Sequence, residues 1–418
     1  MSIGDSPAVE TILKDISDIV RSLDDAQLVM DELVRMTTTM LGVDNCSLVL
    51  IDVNGQDMRM GAAYGLSPDI VRNYSQKVGE GITGWVAKTG QPLLIEDVEN
   101  HPLFQRKSSN PRYNNKSLLS VPLLRGKRVV GVLNVNNKND GTVFSRSDEL
   151  LLSVLANFVV IAIEKAQLRE RLRDQERYEA DLRVARQIQE RILPTDLPAR
   201  DKWEFAARNV PAHAVAGDFF DIIPLPGERT CVVLGDVCGK GVPAALYMAR
   251  VLSYFRVVTQ LRDTPDGIMS FVNDLLAAEW SERTFVTATL CVIENGGSKI
   301  AFCSAGHPVP YRVREASGEV LPAPLEHGLP LGIEAGVSFQ TSEIDVAPGD
   351  TFVLYTDGIT EAKGPDGGLF REERLCDVLH GHNGSAEKLA QSIVDAMAKF
   401  TSTEAQSDDI TFVVVRRT

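Results

Sequence analysis

The sequence has no pair of cysteines at redox or metal-finger spacing. Its six cysteines, Cys46, Cys231, Cys238, Cys291, Cys303 and Cys376, are scattered over 418 residues. That scatter argues against a disulfide framework and a cysteine-based zinc site, and a reduced, cytoplasmic protein is expected. No basic segment followed by an apolar one opens the chain, so no export signal is expected. The most apolar stretch, residues 150–163, is shorter than a membrane span and is broken by Ser153 and Asn157. It reads as a buried or dimer-forming helix, and no membrane contact is expected. Positive charge is also scarce: 43 Lys and Arg face 57 Asp and Glu, for a net charge of −14. No field of the sign that attracts nucleic-acid phosphates results, whereas an acidic excess suits a chain that collects divalent cations. Internal repeats and low-complexity tracts are absent. What remains is a globular balance of 44% hydrophobic and 24% charged residues, long enough for two or three cores.

Hydrophobic periodicity divides the chain. Val9, Ile12, Leu13, Ile16, Val20 and Leu23 fall on one helical face, and a second helix is expected over about 26–41. Strand-like runs follow at 46–53, 58–64, 118–124 and 129–135, with a helix starting near Ser145. This is an α+β pattern, an antiparallel sheet flanked by helices. Residues 164–191 then hold no Gly or Pro and carry both signs of charge. A thin stripe of Leu168, Leu172, Leu182, Ala185 and Ile192 needs a partner, so a parallel dimeric coiled coil is favoured over a lone solvated helix. Gln175 and Glu179 interrupt that seam and leave its register easy to shift. Pro194 and Pro198 end the helix. The expected domains are an N-terminal helix (1–24), a sensory domain (25–165), a helical linker (164–195) and a second α+β domain (196–418).

Four acidic motifs stand out in the last domain: GDFFD (217–221), GDVCGKG (235–241), TDG (356–358) and SDDIT (407–411). The apolar runs CVVLGD and FVLYTD put Asp236 and Asp357 just beyond strand ends, while DDITFVVV puts Asp408 and Asp409 at a strand start. If the last strand runs antiparallel to the others, these carboxylates converge on one rim. They would repel one another unless a cation neutralised them. An all-oxygen set suits Mg²⁺ or Mn²⁺ rather than zinc, and paired ions of this kind acidify water and orient a phosphate ester for hydrolysis. Singly, each Asp-Gly motif reads as a turn; four, each on a strong apolar strand, read as a site. GDVCGKG is not a P-loop, because Gly241 stands where the magnesium-binding hydroxyl is required.

These segments, together with 304–308 and the approach ARQIQERILPTDLP, resemble the motif series of the PPM family of metal-dependent protein phosphatases, in its SpoIIE-like bacterial branch. The resemblance implies an αββα sandwich acting on phosphoserine and phosphothreonine through activated water, with no covalent phosphoenzyme. It implies two Mn²⁺ or Mg²⁺ ions bridged by Asp236, with the Val237 carbonyl, Asp218, Asp357 and Asp408 as further ligands. Asp221 is a second candidate from the first motif, and Asp409 ranks below Asp408. It also implies a phosphorylated anti-sigma-factor antagonist as substrate. Two features depart from eukaryotic members: Cys238 stands where a histidine general acid would, and no arginine is assignable to the phosphate. His307 in SAGHPVP reads as structural.

The first half resembles a GAF domain through GITGWVAKTGQPLLIEDV, SLLSVPLL and GKRVVGVLNVNNK. Asn137, Lys138, Phe144, Asp148 and Glu149 reproduce the NK…F…DE signature of cyclic-nucleotide-binding members. A cyclic nucleotide is thus one candidate ligand, although these residues read first as a brace at a helix start. The cysteine used to anchor a bilin is lacking. The combined reading is a GAF-regulated phosphatase working as a parallel homodimer. The alternative is a catalytically silent receptor or scaffold.

Overall fold

The computed structural model describes residues 25–98, 101, 117–198, 200–279, 284–294, 296–380, 382, 384–402, 404 and 406–418. The helix expected over residues 9–23 lies outside them. The chain forms two compact units that divide between Arg177 and Tyr178.

In the first unit, helix α1 (Ala26–Leu41) starts where the Asp25 side chain accepts the amides of Gln27 and Leu28. It stops at Gly42, whose φ of 59° suits a residue without Cβ. Strands β1 (Val43–Ile51) and β2 (Asp57–Tyr64), helix α2 (Pro68–Asn73) and strand β3 (Ser75–Lys77) follow. Helix α3 (Gly81–Thr89) and strands β4 (Leu93–Ile95), β5 (Leu118–Arg125) and β6 (Arg128–Lys138) complete the sheet. Its order is β3-β2-β1-β6-β5-β4, antiparallel throughout as the sequence indicated. Strand alternation splits the apolar residues between its faces. Leu48 and Leu133 pack with Leu33 of α1 and with Leu152 and Val159 of the next helix, whereas Val49 and Val132 pack with Val86 and Ala87 of α3.

That next helix, α4 (Arg146–Ile192), is continuous for 47 residues and so includes the expected linker. Its first turn is a capping box: Ser145 donates its amide to Asp148 at 2.8 Å, and the Asp148 amide returns to the Ser145 hydroxyl at 3.3 Å. Lys138, at the end of β6, pairs with the same carboxylate at 3.0 Å and lies 6.0 Å from the Phe144 ring centre. Phe144 is buried, its amide donated to the Ser117 hydroxyl, and Arg146 donates to Glu149. Partial burial opposes the Asp148 charge, but Ser145 and Lys138 outweigh it and hold the carboxyl below its ordinary pKa. Asn137 takes a left-handed backbone with φ of 58° at the end of β6. The NK…F…DE residues thus lace β6 to α4, which supports the bracing role.

The second unit contains β7 (Trp203–Val210), β8 (Phe219–Leu225), β9 (Arg229–Val237), α5 (Val242–Val258), α6 (Pro265–Glu279), β10 (Val286–Glu294) and β11 (Lys299–Ala305). After these come β12 (Tyr311–Arg314), β13 (Glu319–Pro322), β14 (His327–Gly328), β15 (Ser342–Asp345) and β16 (Thr351–Tyr355). The chain ends with α7 (Asp357–Thr360), α8 (Arg371–Leu379), α9 (Ala386–Thr401) and β17 (Ile410–Arg417). One sheet has the order β14-β11-β10-β9-β8, with β15 also on β11; the other has the order β13-β12-β16-β17-β7. Phe220, Val232, Leu234, Phe302, Phe352, Leu354, Val413 and Val415 fill the space between them. Helices α5 and α6 cover the outer face of the first sheet through Met248, Phe255, Ile268 and Val272. Helices α8 and α9 cover the second through Leu375, Leu389 and Ile393. This is the αββα sandwich that the resemblance implied. Central strands such as β9, β16 and β17 hide both faces, which explains runs such as FVLY and FVVV with no polar alternation. Among the described residues, no helix is long and apolar enough to cross a membrane.

Candidate functional site

Asp236 is the penultimate residue of β9 and pairs with Thr287 of β10, so the strand runs past it rather than ending before it as expected. Gly217 lies against this strand end. A Cβ there would stand 2.9 Å from the Val237 carbonyl and 3.2 Å from Asp236 Oδ1, so only glycine lets Asp218 come this close. Asp218 is buried and accepts the Thr356 hydroxyl at 2.8 Å. The same hydroxyl accepts the Thr411 amide at 3.0 Å, and the Thr356 amide goes to the Thr411 carbonyl at 2.9 Å. The first motif is thereby fastened to the other sheet, where β16 ends and β17 begins.

Those strands, β16 and β17, are antiparallel and pair Tyr355 with Phe412, so the end of one and the start of the other share a rim. Asp357 opens α7 on that rim, and Asp408 and Asp409 precede β17. Glycine is again required: a Cβ on Gly358 would lie 1.8 Å from the Asp409 carbonyl oxygen. Asp409 itself accepts the amides of Ala212 and Gly217, each at 2.8 Å. Its carboxylate is committed to holding the Asp218 loop, which supports its rank below Asp408.

The remaining carboxylates repel one another. Burial first, then the Asp236 charge, pushes Asp218 well above the ordinary carboxylate range. Burial, then Asp357, Asp408 and Asp409, pushes Asp236 up to about 7. Asp357 is raised by burial and by Glu361 and Asp408. Among the described residues, the one cation seen on this set is Lys240, 3.1 Å from Asp408 Oδ2. Among the described residues, no three Asp, Glu, His or Cys side chains enclose an ion as they stand. The four motif aspartates share a rim without closing a cage.

Asp221 does not join them. It lies three residues beyond Asp218, and along a strand an odd offset turns a side chain to the opposite face. There it pairs with Arg256 of α5 at 2.6 Å and accepts the Ile222 amide at 2.8 Å. We therefore leave Asp221 out of the ligand set. Arg256 also donates to the Ile192 carbonyl at 2.7 Å, at the end of α4. Gln189, buried one turn earlier, exchanges two hydrogen bonds with the backbone of Ala216, at 2.7 and 2.9 Å. Neither contact had a local sequence signal. His307 is buried with Nδ1 2.9 Å from the Thr287 hydroxyl. Burial pulls its pKa down to about 3 against the opposing Tyr355 backbone contact, leaving a neutral brace behind Asp236's partner.

Comparison with known proteins follows this geometry. Residues 226–418 match the family model of Stage II sporulation protein E (SpoIIE), and residues 25–163 match that of the GAF domain. The chain thus carries a GAF domain over residues 25–163 and a SpoIIE-family domain over residues 226–418. The SiaA-PP2C domain of Pseudomonas aeruginosa superposes with a TM-score of 0.52 at 25% identity, covering 58% of this chain and 98% of that one. Protein IcfG of Synechocystis is 29% identical over 269 residues, which is 57% of this chain but only 41% of IcfG. Phosphoserine phosphatase RsbU of Bacillus subtilis is 24% identical over 250 residues, or 58% of this chain and 72% of RsbU. The SpoIIE match includes Asp236, Asp357 and Asp408. Asp218 lies ahead of it, so its place rests on the hydrogen bonds above.

The raised carboxyls set a pH dependence. Without divalent ions, folded Asp218 and Asp236 retain protons that the unfolded chain loses near pH 4. For Asp236 this stabilisation is complete below that pH and is lost as pH rises through about 7. In denaturant titrations with chelator, wild type should lose stability relative to Asp236→Asn, by on the order of 2 kcal/mol from pH 5 to 8. A constant difference would show that the Asp236 carboxyl is not raised.

Proposed function

We propose that the SpoIIE domain hydrolyses phosphoserine and phosphothreonine esters on a protein partner, using two Mn²⁺ or Mg²⁺ ions, under control of the GAF domain. The observation that carries this reading is the convergence of Asp218, Asp236, Asp357 and Asp408 from two sheets onto one rim. The donor set fits such ions: it is all oxygen, and mutual repulsion gives the site a reason to take up positive charge. Asp236, central in the network of charges, would bridge, with the Val237 carbonyl, Asp218, Asp357 and Asp408 completing the set. When bound, the ions would neutralise phosphoryl oxygens and acidify water.

The chain's own groups orient this chemistry. Thr356 holds Asp218, Asp409 fixes the loop that carries it, and Gly217 and Gly358 allow the backbones to approach. His307 is turned to Thr287 and kept neutral, so it braces rather than donates a proton. Cys238 is exposed just after the site, and protonation of the leaving group is left to water.

The substrate reading is a phosphorylated anti-sigma-factor antagonist, supported by the similarity to RsbU, a phosphoserine phosphatase by name. We place the protein in the cytoplasm, with domain boundaries near residues 25, 164 and 196. The GAF ligand is a separate question; a cyclic nucleotide is one candidate, and the signature residues are occupied in bracing. Leu150, Val154, Ile161, Leu168 and Leu172 are exposed on α4 at spacings of four and seven, a seam that suits a parallel coiled-coil homodimer.

Two outcomes are expected. The full chain should release phosphate from phosphorylated antagonist proteins with Mn²⁺ or Mg²⁺ and stop on chelation. Asp236→Asn and Asp357→Asn should each cost on the order of 100-fold or more in kcat, with the fold retained by circular dichroism. Full turnover in chelator would remove the assignment. Light scattering at micromolar concentration should report a dimer, and a monomer would rule out the coiled-coil seam.

A further inference from the structure

Among the described residues, Asp408 alone of the four carboxylates assigned to the metals is in contact with a cationic side chain. The Lys240 ammonium donates to Asp408 Oδ2 at 3.1 Å and to the Ser407 carbonyl at 2.9 Å. The other oxygen, Oδ1, accepts the Asp409 amide at 3.0 Å. Each oxygen thus already accepts one hydrogen bond, and a metal ion that uses Asp408 shares the carboxylate with the lysine. The two cations compete there. Ligand oxygens sit about 2.0–2.1 Å from Mg²⁺, so an ion on Oδ2 would stand within about 5 Å of the ammonium and repel it.

Lys240 is placed to give way. Its side chain is 56% exposed, so it leaves for water rather than for a buried pocket. It is flanked by Gly239 and Gly241, with φ of 114° and 77°, and a Cβ at either position would meet nothing within 4 Å. The Gly-Lys-Gly turn therefore stands in open space between β9 and α5. The lysine also feels Asp409 and Asp236, so its charge acts on more of the rim than Asp408 alone.

We propose that Lys240 is an exchangeable counter-cation of the metal centre: it occupies Asp408 in the ion-free chain and competes with a divalent ion for that ligand. The inference rests on the metal reading above and adds a residue that sets the affinity of the centre. An exposed pair of this kind is weak, so Lys240 tunes loading and does not block it.

The test is calorimetric titration of the full chain with Mn²⁺ at low ionic strength, comparing wild type, Lys240→Met and Lys240→Arg. Lys240→Met should bind Mn²⁺ about two- to five-fold more tightly. Lys240→Arg, which keeps the charge, should stay near wild type. The gain should shrink in about 0.5 M KCl, where the ion pair is screened. Unchanged or weaker binding by Lys240→Met, with wild type binding normally, would overturn the exchange. No Mn²⁺ binding by wild type would instead overturn the metal reading on which it rests.

Discussion

Mutual repulsion among carboxylates on one rim of the sandwich is the constraint around which the second domain is arranged. Asp218, Asp236 and Asp357 are all raised by burial and then by the charge of neighbouring carboxylates. Such a cluster persists only if the backbone that carries it is over-determined. Here Asp218 is fixed to Thr356, the Asp218 loop to Asp409, and β16 to β17 by a regular antiparallel ladder. The apolar layer between the sheets supplies the rigidity, and the repulsion becomes binding energy for a cation. Lys240 shows the same demand met partly from within the chain.

The approach to the site is as closely held as the site. The last turn of α4 contacts the phosphatase domain through Gln189 on Ala216 and through Ile192 on Arg256. Ala216 is two residues from Asp218, and Arg256 grips Asp221 of the same motif. A shift of this helix end would therefore pull on the first acidic motif directly, a shorter route than passage along α5. Helix α4 itself carries Asp148 and Glu149 of the GAF signature in its first turn and these contacts in its last.

Much of this was legible from residue types. Long apolar runs ending in Asp announced strands with acid at their ends, and antiparallel pairing brought Asp357 beside Asp408. The lesser standing of Asp409 and the bracing role of His307 also agree with their contacts. The setting of Asp221 was not legible: it lies in β8 and pairs with Arg256, 35 residues away, which the motif itself does not encode. Lys240 was missed because the search was for an arginine on the phosphate, whereas this lysine sits on a ligand. Gln189 and Arg256 act through partners 27 and 64 residues away, which no local pattern encodes. The linker appeared as a separate element because its apolar stripe thins after residue 163, yet the backbone continues without a break.

The central claim is that the rim gathers divalent ions around Asp236. Its most direct test is anomalous diffraction from crystals of the full chain soaked in Mn²⁺. The account predicts two manganese peaks, both in contact with Asp236, with Asp408 turned onto one of them and the Lys240 ammonium moved off it. Asp221 should still be paired with Arg256. A map with no manganese at Asp236, or with manganese at Asp221 instead, would contradict it.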